Sequence, residues 1–293
     1  MIAATSWRRV ALHSALLFLA GSLAAHAAAP PPFRPPPGVG GGPSMVPPQP
    51  LEPPRAGAKI DMTGMWVAVV SEDYQWRMIT PPRGEFASLP LTAAAVAVAN
   101  NWNLDADNAA GLQCKAFGAP GVMRLPTRLR VSWQDDTTLK VETDAGEQTR
   151  LLRFGAPTPP AGDAGWQGFS VAAWQRASPG RDVGTNGQAF GRVGAGPGGA
   201  LKVVTSNLRP GYLRKNGIPY SAKLSLTEYF NRIEEPNGDS WLIVTTIMED
   251  PEYLSLPFIT STHYLREADG SKWHPTPCQT SPPLREKAAK LQE

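Results

Sequence analysis

Residues 224–266 alternate apolar and polar side chains with a period of two, and this predicts three consecutive strands. Leu224, Leu226, Glu228 and Phe230 share one face of the first; Ser225, Thr227, Tyr229 and Asn231 share the other. Pro236-Asn237-Gly238-Asp239 predicts a turn, because Asn and Gly tolerate the positive φ that a tight hairpin demands. Residues 241–248 (WLIVTTIM) are β-branched and run back. Glu249-Asp250-Pro251 ends that run, since proline brings no amide to a ladder. Residues 258–266 (FITSTHYLR) form the third strand, closed by Ala268-Asp269-Gly270.

The same alternation recurs upstream. Residues 60–80 predict a first strand carrying Trp66, then Tyr74 and Trp76, ended by Pro81-Pro82. Thr92 is placed to cap a helix over 93–102, and residues 105–112 add a helical turn before Cys114. Residues 122–154 return to strands, with Leu129, Val131 and Trp133 alternating against Arg128, Arg130 and Ser132; 166–176 and 201–208 give two more. Turns recurring every eight to twelve residues or so imply an all-β barrel or sandwich. We expect an antiparallel β-barrel with one or two short helices over 57–280.

The two ends of the chain read differently. Arg8 and Arg9 precede an apolar run over 10–23 and the small-x-small site Ala25-His26-Ala27, the pattern of a secretory signal peptide cleaved near Ala27. That run is too short for an anchor, and no other stretch is apolar and long enough to form a transmembrane segment. Residues 28–56 are dominated by Pro and Gly and predict a flexible tether; 281–293 predict a polar tail. Residues 177–199 are a Gly-rich insertion without the Lys-Ser/Thr of a phosphate loop. The expected location is periplasmic or secreted.

Charge and cysteines narrow the function. The net charge is +3, and losing Arg8 and Arg9 leaves about +1, which gives no electrostatic basis for a nucleic acid partner. Cys114 and Cys278 are too far apart for a CxxC motif; in an oxidising compartment they form one long-loop disulfide, the alternative being two buried thiols. Signal removal leaves two histidines, His263 and His274, so a histidine-rich metal site is not expected, nor is any cofactor.

Glu228 is the most informative polar residue, because alternation points it inward. It is either a general acid or base, or one half of an ion pair with an inward arginine. Arg214 and Tyr220 crowd a turn beside its strand and could hold and polarise an oxygen; the alternative is a solvated loop. His263 could relay a proton or be a satisfied semi-buried residue. Ligand-facing aromatics are expected at Trp66, Trp76, Trp133, Tyr212 and Phe230. No Gly-x-Ser-x-Gly elbow marks a serine hydrolase.

The runs GYLRKNGIPYS (211–221), LTEYF (226–230), EDPEYL (249–254) and Pro257-Phe258 resemble a group of secreted bacterial proteins of uncharacterised function. The resemblance spans roughly 61–278, omits the Gly-rich insertion, and implies a lipocalin-like β-barrel behind a signal peptide. Gly64-x-Trp66 is similar to the opening of a lipocalin, where the Trp closes the barrel end; the alternative is an aromatic strand in a generic core. No catalytic assignment comes with either. The expected function is therefore binding of a small hydrophobic or aromatic molecule within the barrel. Two alternatives are a cofactor-free isomerase, lyase or hydratase built on Glu228, and an envelope interaction module.

Overall fold

The computed structural model describes residues 52–155, 158–159, 164–176 and 199–283. The expected signal peptide, most of the tether, nearly all of the Gly-rich insertion and most of the tail lie outside the described residues.

The strands in chain order are β1 (Gly64–Val69), β2 (Arg128–Asp135), β3 (Thr138–Thr143), β4 (Thr149–Phe154), β5 (Phe169–Arg176) and β6 (Gly199–Ser206). A separate hairpin follows, β7 (Gly211–Arg214) with β8 (Ile218–Tyr220), and then the meander β9 (Ser225–Glu234), β10 (Ser240–Glu249) and β11 (Phe258–Glu267). Nine of them close into a barrel in the order β1-β11-β10-β9-β6-β5-β4-β3-β2. Closure leaves no edge strand in the barrel to template pairing with another chain. The neighbours are antiparallel except β4 and β5, which run parallel.

Burial follows the alternation. Leu226, Glu228 and Phe230 of β9, Leu242, Val244 and Thr246 of β10, and Thr260, Thr262 and Tyr264 of β11 all point inward. Opposite them are Leu129, Val131, Leu139, Val141, Arg150, Leu152, Leu201 and Val203. These side chains fill the lumen together with Trp66, whose indole N–H donates to Met62 O at 2.9 Å.

Both mouths are covered. At one, the rings of Trp133, Phe154 and Trp174 cluster with centroids 5.6, 6.5 and 5.3 Å apart. There the end of the Pro-rich stretch docks: Trp174 Nε1 donates to Pro54 O at 2.7 Å, and the Arg55 amide to Asp136 O at 3.1 Å. At the other lies a plug of short elements: α1 (Tyr74–Arg77), α2 (Ala93–Asn100), α3 (Leu104–Ala109), a 3₁₀ turn (Gln113–Phe117) and α4 (Ala119–Val122). Thr92 caps α2 as expected, accepting from the Ala95 amide. The Cys114–Cys278 disulfide, with Cα atoms 5.1 Å apart, ties the 3₁₀ turn to a C-terminal segment whose Thr276 bonds Asp144 and Gly146.

Arg214 and Tyr220, expected on a turn, lie instead on the two strands of the β7–β8 hairpin and are buried. Residues 60–80 are not a single strand: β1 stops at Val69, and Trp76 sits on α1. The polar run Ser71-Glu72-Asp73 ends the alternation, and Asp73 takes a left-handed φ of 55°, which Asp tolerates better than most residues. Single helical turns such as α1 and α4 are too short to show a 3.6-residue period.

The β7–β8 turn contains a strict requirement. Gly217 has φ +81°, and a Cβ there would lie 2.1 Å from Trp102 Cγ. Gly217→Ala is expected to cost about 1–2 kcal/mol for the backbone and about 1–3 kcal/mol more for overpacking. A chemical denaturation curve checks this, and an unchanged midpoint would contradict it.

Candidate functional site

The inward carboxylate is held. Arg150 donates through both terminal nitrogens to Glu228, at 2.9 and 2.5 Å, and both side chains are about 1 % exposed. Arg150 also reaches Thr205 Oγ1, which shares a hydrogen bond with Ser170. Fork geometry of this kind uses both oxygens of the carboxylate.

The other residues singled out in the sequence do not join Glu228. Tyr220 ends β8 opposite Gly211, with its hydroxyl wedged against Gly118 and Gly211. Arg214 pairs with Ile218 at the far end of that hairpin. His263 lies on the outer face of β11 with Ile259, Ser261 and Leu265, and its Nδ1 stands 3.1 Å from Glu72 Oε1. The aromatics are dispersed too. Trp66 and Phe230 are in the lumen and Trp133 is at the tether-side mouth. The Tyr212 hydroxyl donates to Asp107 outside the barrel, with Lys115 donating to Tyr212 at 3.2 Å. Burial first, then Asp107, pushes the Tyr212 hydroxyl well above its ordinary range, so it stays protonated.

Trp76 and Arg214 do come together. The Arg214 guanidinium lies 4.7 Å over the Trp76 ring in a cation–π contact. Beside it stand two arginines that carried no strand signal. Arg77, on α1, donates Nε–H to Arg124 O at 2.8 Å and pairs with Glu72. Arg124, just after α4, pairs with Asp73 at 2.7 Å and faces the Phe258 ring. The three are only 3 % (Arg77), 7 % (Arg124) and 6 % (Arg214) exposed. Burial, and after it the Arg124 charge, pulls Arg214 down to about 10 and lowers Arg77 as well. Arg214 thus remains a cation at neutral pH.

Two cavities adjoin this cluster and share Arg124. One is a cleft of about 500 Å³ on the plug side of the barrel. Pro90, Pro257, Phe258 and Ile259 make its apolar wall; Glu72, Asp73, Arg124, Thr260 and Ser261 make its polar one. Its size falls within the usual range for small-molecule sites. The other is a chamber of about 20 Å³ among Trp76, Arg77, Arg124, Arg214 and Lys215. Among the described residues, no group of three or more His, Cys, Asp or Glu is placed to hold a metal, and no helix is long and apolar enough to cross a membrane.

No known protein family, curated protein or solved structure matches the chain. What the site can hold follows from its own shape and charge. The sequence held one usable signal for Arg150, because Arg150, Leu152 and Phe154 alternate on one face of β4 just as Glu228 does on β9. Arg77 and Arg124 lie outside strands, so alternation could not find them.

Proposed function

We propose that the chain is an exported small-molecule binding protein whose ligand lies in the cleft at the plugged mouth rather than in the lumen. The observation that carries this reading is a cleft of about 500 Å³ that sets an apolar wall, Phe258 and Ile259, against a short polar rim containing Arg124. The lumen supports a ligand less well, because Trp66, Phe230 and Tyr264 already occupy it with their neighbours. Export is supported by the N-terminal sequence pattern and by the disulfide, which persists in oxidising compartments. The Arg150 pair also favours binding over catalysis, because it engages the carboxylate that acid–base chemistry would use.

Ile259 gives the test, since it is 61 % exposed and its replacement leaves the core intact. Burying an isoleucine against a ligand is worth about 1.5–3 kcal/mol, so Ile259→Asp is expected to weaken an apolar fluorescent probe by roughly tenfold or more. Unfolding should stay within about 0.5 kcal/mol of the parent. A probe that binds the parent and the variant equally well would place it elsewhere. Native mass spectrometry of protein purified from the periplasm should also show a co-purifying small molecule.

A further inference from the structure

We infer that the arginine chamber is a binding site for a small monovalent anion, either a halide or the oxygen end of a carboxylate. The first support is an accounting of hydrogen-bond partners. Arg214 Nη1 and Nη2 and Arg77 Nη2 are buried and meet no acceptor among the described residues. A buried donor without an acceptor forfeits its hydration, and the loss is larger for a charged group. The two side chains that carry these three nitrogens, Arg77 and Arg214, both line one chamber.

The second support is charge. Arg77 is paired with Glu72 and Arg124 with Asp73, and His263 also faces Glu72. Arg214 forms no salt bridge among the described residues; Asp73 and Glu85 act on it only through their charge. Lys215 adds a further cation whose proton affinity burial lowers. The cluster therefore holds more positive than negative charge in a desolvated place. A neutral occupant could accept hydrogen bonds but would leave that excess standing, whereas an anion answers both.

The third support is size. A chamber of about 20 Å³ holds roughly one water-sized group. A halide or a single carboxylate oxygen suits that space; a tetrahedral phosphate or sulfate does not. The inference does not need the cleft to be occupied. Arg124 borders both spaces, so an organic acid in the cleft would share that cation with the chamber's anion.

The test uses the full chain, dialysed free of chloride, and follows its melting temperature against sodium chloride, formate, acetate and phosphate at constant ionic strength. Chloride or the carboxylates should give a saturable rise and phosphate none. A rise with formate and acetate alone assigns a carboxylate site; a rise with chloride alone assigns a halide site. Arg214→Met, which keeps an unbranched apolar stem and removes the charge, should abolish the saturable rise or move its midpoint at least tenfold, without lowering the anion-free melting temperature. Should that variant not fold, chloride-35 line broadening on the parent, displaced by formate, replaces it. The inference is overturned by a parent with no saturable response, by a phosphate response stronger than the others, or by an Arg214→Met midpoint equal to the parent's. Because the Ile259→Asp probe experiment reads only the cleft, the two can fail independently.

Discussion

Glu228→Gln is expected to destabilise the protein by about 3–5 kcal/mol, the usual cost of stranding one member of a buried ion pair. The reason is specific to this lumen. Arg150 directs both terminal nitrogens at Glu228, and its only other acceptor among the described residues is Thr205 at 3.3 Å. Neutralising the carboxylate leaves a guanidinium in a place with little water to solvate it. For a domain of this length the loss corresponds to a fall in melting temperature of roughly 6–20 °C. Arg150→Met combined with Glu228→Leu should recover most of it, since an apolar pair of similar volume removes both charges at once and leaves Ser170 bonded to Thr205. The double variant should also keep probe binding in the cleft. Loss of binding in a folded double variant would tie Glu228 to function and revive an acid–base role for it.

Removing the Cys114–Cys278 disulfide should cost about 2–5 kcal/mol, because it closes a loop spanning 164 residues and releases that constraint in the unfolded chain. The melting temperature of Cys114→Ser with Cys278→Ser, or of the reduced parent, should fall by roughly 4–20 °C. The local consequence matters more for the site. Cys114 sits on the same 3₁₀ turn as Ala116, which borders the arginine chamber, and as Phe117, which packs into the core. Hydrogen exchange should therefore rise first over 113–125. A reduced protein that melts with its oxidised counterpart, with unchanged exchange in the plug, would remove the disulfide from the account of the site.

The barrel was legible because strand formation here obeys a local rule. Along β10, along β9 as far as Phe230 and along β11 as far as Tyr264 every second residue is buried, and the turn at 236–239 and the break at Asp250-Pro251 fall where Asn, Gly and Pro require them. Asp250 does more than turn the chain. Its carboxylate accepts from the Ser221 amide and hydroxyl, and so ties the end of β10 to the hairpin exit. No local pattern announces that contact, since the two residues meet only after the hairpin folds back.

Sequence alone determined the all-β architecture, the inward direction of Glu228, the capped helix after Thr92 and the compatibility of Cys114 with Cys278. Each depends on side-chain periodicity, backbone propensity or thiol chemistry, which neighbouring residues or residue type set directly. Only the tertiary structure decided that Arg150 meets Glu228, that plug and tether cover the mouths, and that Arg77, Arg124 and Arg214 share one buried chamber. Those three arginines come from α1, the turn after α4 and β7, so their excess charge is a property of packing rather than of any stretch of chain.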